Sequence, residues 1–445
     1  MLGASLNKAF YYFKSRWQSS WNYSLWALLI FPLSPFLGAV TISFVSLITL
    51  VRQYRKISRR PLNWGFALLS VLLIMTAGVA HNKTEAFLGL FNLLPFFLVF
   101  AAHSTLIQTF AQLRQMAWIL VISSMPVVII GLGQLFLGWN LKFQFLWIVL
   151  AGTIRPGGNP PGRIASLFMH ANTFAAYLAI VFILGLGLWL EQWRLGISKN
   201  SVPSRQLRVP FLFLTVAVIT NFITLIFTSS RNGWAIAIFA CLAYAFYQGW
   251  RILVGGVAAI VSSTLLAAFA PSPVAEFFRQ YVPAFFWARL NDDMYPDRPV
   301  ALMRKTQWEF AWSLAQEHPL TGWGLRSFSA LYKAQMHIRL GHPHNLFLML
   351  SAETGLPSAF LFYGLLGWIL ITGVQLLRKS KCINRQDRLI LFSYLLAFVA
   401  WVLFNTVDVT LFELRLNALS WLILAAICGV VHRYNQQDRL EAHLN

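Results

Sequence analysis

WNYSLWALLIFPLSPFLGAVTISFVSLITLV, residues 21–51, is apolar almost throughout and is followed at once by RQYRKISRR, residues 52–60. The apolar stretch fits either one steeply tilted helix or two spans folded at Pro32 and Pro35, since proline ends or kinks a helix. A single helix places the basic amino-terminal segment (Lys8, Lys14, Arg16) and the basic 52–60 loop on opposite sides of a membrane. A hairpin places both on the same side, as the positive-inside rule prefers. The choice fixes the sidedness of every loop that follows.

Composition sets the class. Of 445 residues, 58% are hydrophobic and 11% charged, against about 25% charged in soluble domains. Apolar runs recur near 22–34, 36–51, 63–80, 86–102, 115–138, 166–190, 209–228, 232–249, 252–270, 345–377, 389–408 and 416–433. Runs approaching ~20 apolar residues are transmembrane helix candidates, so an all-α polytopic membrane protein of about 12 transmembrane helices is expected. The first residues are polar, aromatic and basic, unlike a cleavable signal. Cys241, Cys382 and Cys428 fall in spans or in a basic inner loop, which argues against a disulfide framework.

The net charge of +21 raises a nucleic-acid partner, but its distribution excludes one. With a hairpin at the start, alternation assigns most Lys and Arg to cytoplasmic segments, so the charge is mainly topogenic. The same alternation puts one long loop, 271–344, outside, between spans 9 and 10. Three parts follow: a membrane domain at 1–270, the outer loop at 271–344, and a membrane domain at 345–445 with the last three spans and a cytoplasmic tail. The outer loop contains PVAEFFRQYVPAFFWARL and RKTQWEFAWSLAQEHPLTGWGLRSFSALY, with aromatics at helical spacing and breaks at Pro and Gly. Two or three surface helices are expected there. A shorter outer loop, 139–165, carries the Gly/Pro-rich TIRPGGNPPGRIAS.

Polar groups gather on this outer face. Arg231, in FTSSRNGW, lies between two closely spaced spans, where an arginine either snorkels or faces a partner or a wet cavity. Arg304 begins RKTQW and reads as a solvated helix residue or as a ligand. Two guanidinium groups converging on one site suit a diphosphate, since each binds phosphate oxygens bidentately and steadies charge on a departing pyrophosphate. His344, in HPHNLFLMLSAETGLPSAF (342–360), is of the residue type that most often does general-base work near neutral pH. Pro343 stiffens its approach and Asn345 is a helix N-cap candidate. His342 reads as an interfacial residue. A metal pair from His342 and His344 is weak, being i, i+2 on a loop with no carboxylate beside it in sequence. Glu353 is expected deep in a span. Asp408, Glu413 and Arg415 most simply neutralise one another. Asn172 is a candidate for substrate contact or helix locking, and Gly322 and Gly324 are turn glycines.

At these residues the chain resembles the O-antigen ligase family, polytopic glycosyltransferases related to O-antigen polymerases. HNLFLMLSAETG (344–355) resembles its His-Asn, nine residues, Gly pattern, with Ser358 where Gly, Thr or Tyr is usual. TSSRNGW (228–234) resembles its Ser-Arg motif, and RKTQWEFAWSLAQEHPLTGWGLRSF (304–328) its Arg-to-Pro-x-x-Gly-x-Gly loop. RIASLFMHANTFAAYL (163–178) resembles an Arg, Ser, Asn-Pro-Asn, Ala signature, departing from it at His170 and Ala171.

The resemblance implies a large periplasmic helical loop holding the active site of an inverting, metal-independent transferase in the bacterial inner membrane, with no cofactor. The donor is a glycan on undecaprenyl diphosphate and the acceptor a lipid or glycan hydroxyl. By position, His344 is the catalytic base and Arg231 and Arg304 hold the diphosphate, with Arg289 a rival for the second arginine. Asn345, Arg163 and Asn172 complete the candidate substrate-binding set. An O-antigen or exopolysaccharide polymerase of the same superfamily stays open, as does a bicarbonate-transport-associated membrane protein. The His-Asn pair leans toward a ligase.

Overall fold

The computed structural model describes residues 19–140, 142–145, 148–198, 205–290, 299–380 and 383–444. The opening apolar stretch is a hairpin. Helix α1 (residues 19–30) ends in a turn at 31–33, and α2 (Pro35–Ser58) starts with proline in its first turn, where the missing N–H removes no helical bond. Both helices meet one residue of α5 (Leu94–Leu106). Ser24 Oγ lies 3.3 Å from Nε2 of the buried His103 and Ser46 Oγ 3.4 Å from its Nδ1. A single continuous helix cannot bring Ser24 and Ser46 to one imidazole. Lys8, Lys14 and Arg16 lie outside the described residues.

The chain continues through α3 (Pro61–Val79), α4 (Lys83–Leu90), α5, α6 (Phe110–Phe136), α7 (Ala171–Ser198), α8 (Arg205–Phe227), α9 (Arg231–Gln248) and α10 (Arg251–Phe269). After the loop helices come α15 (Leu346–Lys379), α16 (Arg385–Asn405) and α17 (Leu414–Leu444). Among the described residues, 10 helices are long and apolar enough to cross a membrane, α4 and α5 counting as one. The other two expected spans, 22–34 and 232–249, correspond to α1 and α9, which fall outside that set.

Helices α7, α16 and α17 form the enclosed centre. Trp421 of α17 is buried among Phe66, Phe97 and Phe100, with ring centroids 5.4, 5.0 and 6.1 Å away. Peripheral α10 keeps Ile252, Leu253 and Ile260 exposed. Such faces are stable against lipid tails, which are as apolar as the side chains.

Loop contacts sort the two ends of the bundle. At one end Arg114 bridges Glu191 at 2.8 Å and Asp387 at 2.7 Å, joining α6, α7 and α16. At the other, Arg326 pairs with Glu85 at 3.0 Å, and the His81 N–H donates to the Trp323 carbonyl. Each pair joins segments that the charge alternation assigns to one side.

The 271–344 loop is more divided than expected: α11 (Val274–Arg279), α12 (Ala284–Leu290), a 3-10 turn (Val300–Leu302), α13 (Arg304–Glu317) and α14 (Ser327–Met336). The 139–165 loop adds an element that was not foreseen, a two-stranded antiparallel hairpin of β1 (Lys142–Phe145) and β2 (Ile148–Thr153).

The loop docks on a break in α15. Gly355 has φ 79 inside the helix, and two residues later Pro357 has no N–H to give. The carbonyls of Ala352 and Glu353 instead accept from Trp323 N (2.9 Å) and Gly324 N (2.8 Å), while Leu356 N donates to Pro319 O at 2.8 Å. A Cβ on Gly355 would stand 2.3 Å from the Leu320 carbonyl oxygen, and one on Gly322 2.4 Å from the Glu353 carbonyl carbon. Two of the motifs singled out in the sequence thus bind each other through backbone. Glu353 lies before the break, on the segment packed against α13 and α14, where its Oε1 accepts from Phe328 N at 3.2 Å. The roughly 24 residues after Gly355 rise about 36 Å at 1.5 Å each, enough by themselves to span.

Candidate active site

The His-Pro-His-Asn turn is set by local bonds. Asn345, extended at φ −151, caps α15 by accepting from Leu348 N at 3.0 Å, and its Nδ2 donates to the Thr406 carbonyl at 3.0 Å. Both ends of that amide are therefore engaged within the chain. His344 adopts φ 55, a left-handed conformation that a side chain other than glycine's takes only with support. His342 lies against it, ring centroids 4.4 Å apart, and its Nδ1 accepts the His344 N–H at 3.1 Å.

The partner of His344 comes from 64 residues away. Asp408 sits in the turn after α16, a turn tightened by Asn405, whose Oδ1 accepts from Thr410 N at 3.0 Å. Asp408 Oδ1 lies 3.0 Å from His344 Nδ1 and accepts Val409 N at 2.9 Å. Its Oδ2 accepts Asn172 Nδ2 at 3.1 Å. Burial alone would raise this carboxyl; the bond from His344, the pull of both histidines in the acid range where they are protonated, and the Val409 N–H outweigh it and hold the group well below the usual carboxylate range. An ionised Asp408 only accepts, so His344 carries its proton on Nδ1 and presents a lone pair at Nε2.

The arginines connect unequally to this pair. Arg163 donates to Asn172 Oδ1 at 2.6 Å and to the Thr228 carbonyl at 2.8 Å. This makes a relay from Arg163 through Asn172 to Asp408 and His344. Arg304, first residue of α13, donates through Nη1 to the Val407 carbonyl and reaches the His344 carbonyl at 3.5 Å, so its guanidinium touches the residue before Asp408 and the backbone of His344 itself. Arg231 opens α9 behind the Ser230 cap, three positions after the Thr228 that Arg163 holds. Arg289 belongs to α12, but its side chain lies outside the described residues.

The expected Asp408, Glu413 and Arg415 cluster divides. Arg415 pairs with Glu413 at 3.3 Å, donates to the Leu167 carbonyl at 2.9 Å and lies over Phe168 at 4.6 Å. Asp408 faces His344 instead. Sequence reasoning missed it as a site residue, although an acid between Val407 and Val409 at the end of an apolar run was a signal. The premise that no carboxylate neighbours the two histidines is likewise overturned in space.

Ligand atoms of His342, His344 and Asp408 lie within 4.8 Å of one another, a spacing that invites a metal. The hydrogen bonds argue against one. His342 Nδ1 already accepts a backbone N–H, so its proton sits on Nε2, the atom facing Asp408 at 3.9 Å. A metal on that Nε2 requires a ring without protons, and one on His344 Nδ1 requires breaking the bond to Asp408. Burial, then the neighbouring charges of His344, Arg304 and His170, hold His342 down to about 4 against the pull of Asp408, so it is neutral at pH 7. His170, whose Nδ1 accepts Asn172 N at 3.1 Å, is also lowered, chiefly by burial and then by Arg163.

A multi-pass helical membrane protein with an ionised aspartate, an oriented imidazole and arginines at one end of its bundle is the class that fold and site define. Residues 216–363 match the model of a family described as O-Antigen ligase. No curated protein matches the chain. The matched stretch holds Arg231, Arg304, His342, His344, Asn345 and Gly355, so the resemblance read from those motifs is borne out over it. Over those residues, a third of its length, the chain is similar to the O-antigen ligase family.

Proposed function

We propose that the protein transfers a glycan from an undecaprenyl diphosphate carrier to a hydroxyl of a lipid-linked acceptor. In this reading His344 Nε2 takes the proton of the acceptor hydroxyl as its oxygen attacks the anomeric carbon. The bond from that carbon to the carrier phosphate breaks on the opposite face, which inverts the centre, and undecaprenyl diphosphate departs with the electron pair. Asp408 keeps the imidazole in the productive tautomer and balances the imidazolium that forms. Arg304 and Arg231 hold the diphosphate and stabilise its growing charge, with Arg289 a further candidate. Arg163, Asn172 and Asn345 act through the turns that carry the reacting groups. No metal takes part.

The observation that carries the reading is the 3.0 Å bond between His344 Nδ1 and Asp408, with Arg304 bonded beside both. The same reading puts the site on the periplasmic face of a bacterial inner membrane, with 271–344 as the loop covering it between the membrane parts 1–270 and 345–445. Its test is reconstitution of the purified protein with undecaprenyl diphosphate glycans and lipid acceptors, comparing wild type with His344→Ala by gel shift and mass spectrometry. Glycan on a non-carrier lipid, made by wild type alone, is the expected result. Longer glycan still on the carrier would identify a polymerase, and no transfer beside a working control enzyme would defeat the reading.

A further inference from the structure

His170 and His342 lie far apart in sequence yet make the same bond. In each, Nδ1 accepts the backbone N–H two residues on, at 3.1 Å: Asn172 N for His170, His344 N for His342. Each residue so held then donates to a different oxygen of one carboxylate, Asn172 Nδ2 to Asp408 Oδ2 at 3.1 Å and His344 Nδ1 to Asp408 Oδ1 at 3.0 Å. The geometry is that of an Asx turn, in which a side-chain oxygen on Cγ accepts the N–H two residues later, with imidazole Nδ1 in the place of that oxygen.

We propose that His342 and His170 are paired positioning residues, each an imidazole-built turn that aims one donor at Asp408. Together they fix the orientation and tautomer of His344, and the proposal rests on His344 being the base of the transfer reaction. Neither histidine touches substrate or exchanges a proton in it. The reasons are steric and electronic. Pro343 has no N–H, so the first backbone donor after His342 is that of His344. That N–H belongs to a residue at φ 55, a conformation that survives only where neighbours hold it. The turn residue must accept, so its ring bears its proton on Nε2, opposite to His344. At the other arm, Asn172 is fixed from both sides, since its Oδ1 is taken by Arg163 at 2.6 Å, which leaves Nδ2 for Asp408. With both oxygens occupied and Val409 N on Oδ1, the carboxylate cannot rotate away from His344.

Asparagine offers an acceptor at the same place and leucine offers none, so the two substitutions separate a turn from an imidazole that reacts. In the reconstituted full-length protein, His342→Leu should lower kcat about 10- to 100-fold with little change in KM, as expected when a reacting group is misplaced by a fraction of an ångström. His342→Asn should stay within about threefold of wild type. His170→Leu and His170→Asn should repeat the pattern with a smaller loss. The second readout is the 15N spectrum of labelled histidine, in which the His344 signals are those missing from His344→Ala. Wild type and His342→Asn should show His344 protonated at Nδ1, and wild type should show His342 and His170 protonated at Nε2. In His342→Leu the His344 signal should move toward a tautomer mixture. Asn variants as impaired as the Leu variants would overturn the proposal by showing that the imidazoles react. Leu variants with full activity and an unchanged His344 signal would overturn it as well, as would a wild-type His342 protonated at Nδ1. The spectrum does not depend on turnover, so a wild type without transferase activity would defeat the proposed function while leaving the turns to be judged by tautomer. A Leu variant that fails to fold leaves the wild-type spectrum and the Asn variants to decide.

Discussion

Asp408→Asn changes one atom and puts the whole relay in conflict. Asp408 receives three donors: His344 Nδ1 and Val409 N on one oxygen, Asn172 Nδ2 on the other. An asparagine turned with its oxygen toward His344 and Val409 sets its NH2 against the NH2 of Asn172. Turning Asn172 to relieve this places an NH2 against Arg163, which now donates to its oxygen at 2.6 Å. The remaining escape is at His344, whose ring shifts its proton to Nε2 so that Nδ1 accepts from the substituted amide, and the lone pair needed for base catalysis is gone. Loss of a hydrogen bond to a charged partner is worth about 1.5–3 kcal/mol, or roughly 10- to 150-fold in rate. A fixed wrong tautomer in a comparable His–Asp pair lowers turnover by about 10⁴. The expected fall in kcat is therefore about 10²- to 10⁴-fold, with KM nearly unchanged because Asp408 is buried behind His344 and touches no substrate. The assay is initial-rate transfer in proteoliposomes with acceptor varied, accompanied by thermal unfolding to show that the variant is folded. A folded Asp408→Asn protein with wild-type kcat, or one impaired in KM alone, would refute the role assigned to the pair.

Other perturbations probe other parts of the molecule. Gly355→Ala forces a Cβ to 2.3 Å from the Leu320 oxygen at φ 79; a loss of about 2–3 kcal/mol should appear as a lowered melting temperature, and a melt identical to that of Gly364→Ala, which has open space around it, would discount the docking. Arg114→Met leaves Glu191 and Asp387 without their shared cation; about 2–4 kcal/mol should be lost and partly regained in Arg114→Met/Glu191→Met, and a double variant no better than the single one would count against the triad. Because His342 is held down to about 4, the unfolded chain binds a proton between its ordinary value of about 6.5 and that point while the folded one does not, so stability falls as pH drops from 6.5 toward 4. His342→Asn should flatten an unfolding series across that window in part, since other buried groups titrate there too, and an unchanged slope would show that His342 is not buried neutral. Asp408, depressed instead of raised, adds stability that is lost only below its ordinary value of about 3.8, outside the window. Arg304→Lys keeps a charge but not the planar guanidinium, whose Nη1 meets the Val407 and His344 carbonyls and whose fork the proposed diphosphate contact uses; a loss of about 10-fold or more in transfer is expected, and full activity would remove Arg304 from the site.

What the sequence made legible is what local rules govern. Charge on either side of 21–51 favoured a hairpin, and the structure closes one around His103. The cap at Asn345 and the turn glycines Gly322 and Gly324 follow from residue type and position. Even the break in α15 was written as Gly-Leu-Pro at 355–357, yet the apolar run through it looked continuous, so the docking of Glu353 on Phe328 N was not read from it. Asp408 was harder. Its neighbours in sequence are Glu413 and Arg415, and charge balance among them is a sound local inference that fails because Arg415 is already held by Glu413, Leu167 and Phe168. Asp408 is instead drawn to a histidine on another helix. Such pairings depend on how α7, α15 and α16 pack, and no spacing rule on one chain reports that. The departure at His170 and Ala171 had the same difficulty. Residue type gave no hint of the part His170 plays, while in space the imidazole makes the very bond that an amide makes in an Asx turn.

On the proposed reading, the matched stretch, 216–363, is not a self-sufficient catalytic unit. It supplies His344 and Arg304, but the carboxylate that orients His344 lies at 408, and the side chains that orient the carboxylate lie at 163, 170 and 172. His344 holds a left-handed backbone and a defined tautomer, each of which decays without outside support. Two of its constraints, the Asp408 carboxylate and the Thr406 carbonyl that anchors Asn345, come from the turn after α16. His342 and Arg304, inside the matched stretch, reach the His344 backbone N–H and carbonyl and steady the imidazole only through that turn. Removing the last two helices would therefore leave the recognisable His-Asn motif intact in sequence and its imidazole free to take either tautomer. The proposed reacting geometry is thus a property of the assembled end of the bundle, where two stretches remote in the chain, 170–172 and 342–344, meet on the two oxygens of one aspartate.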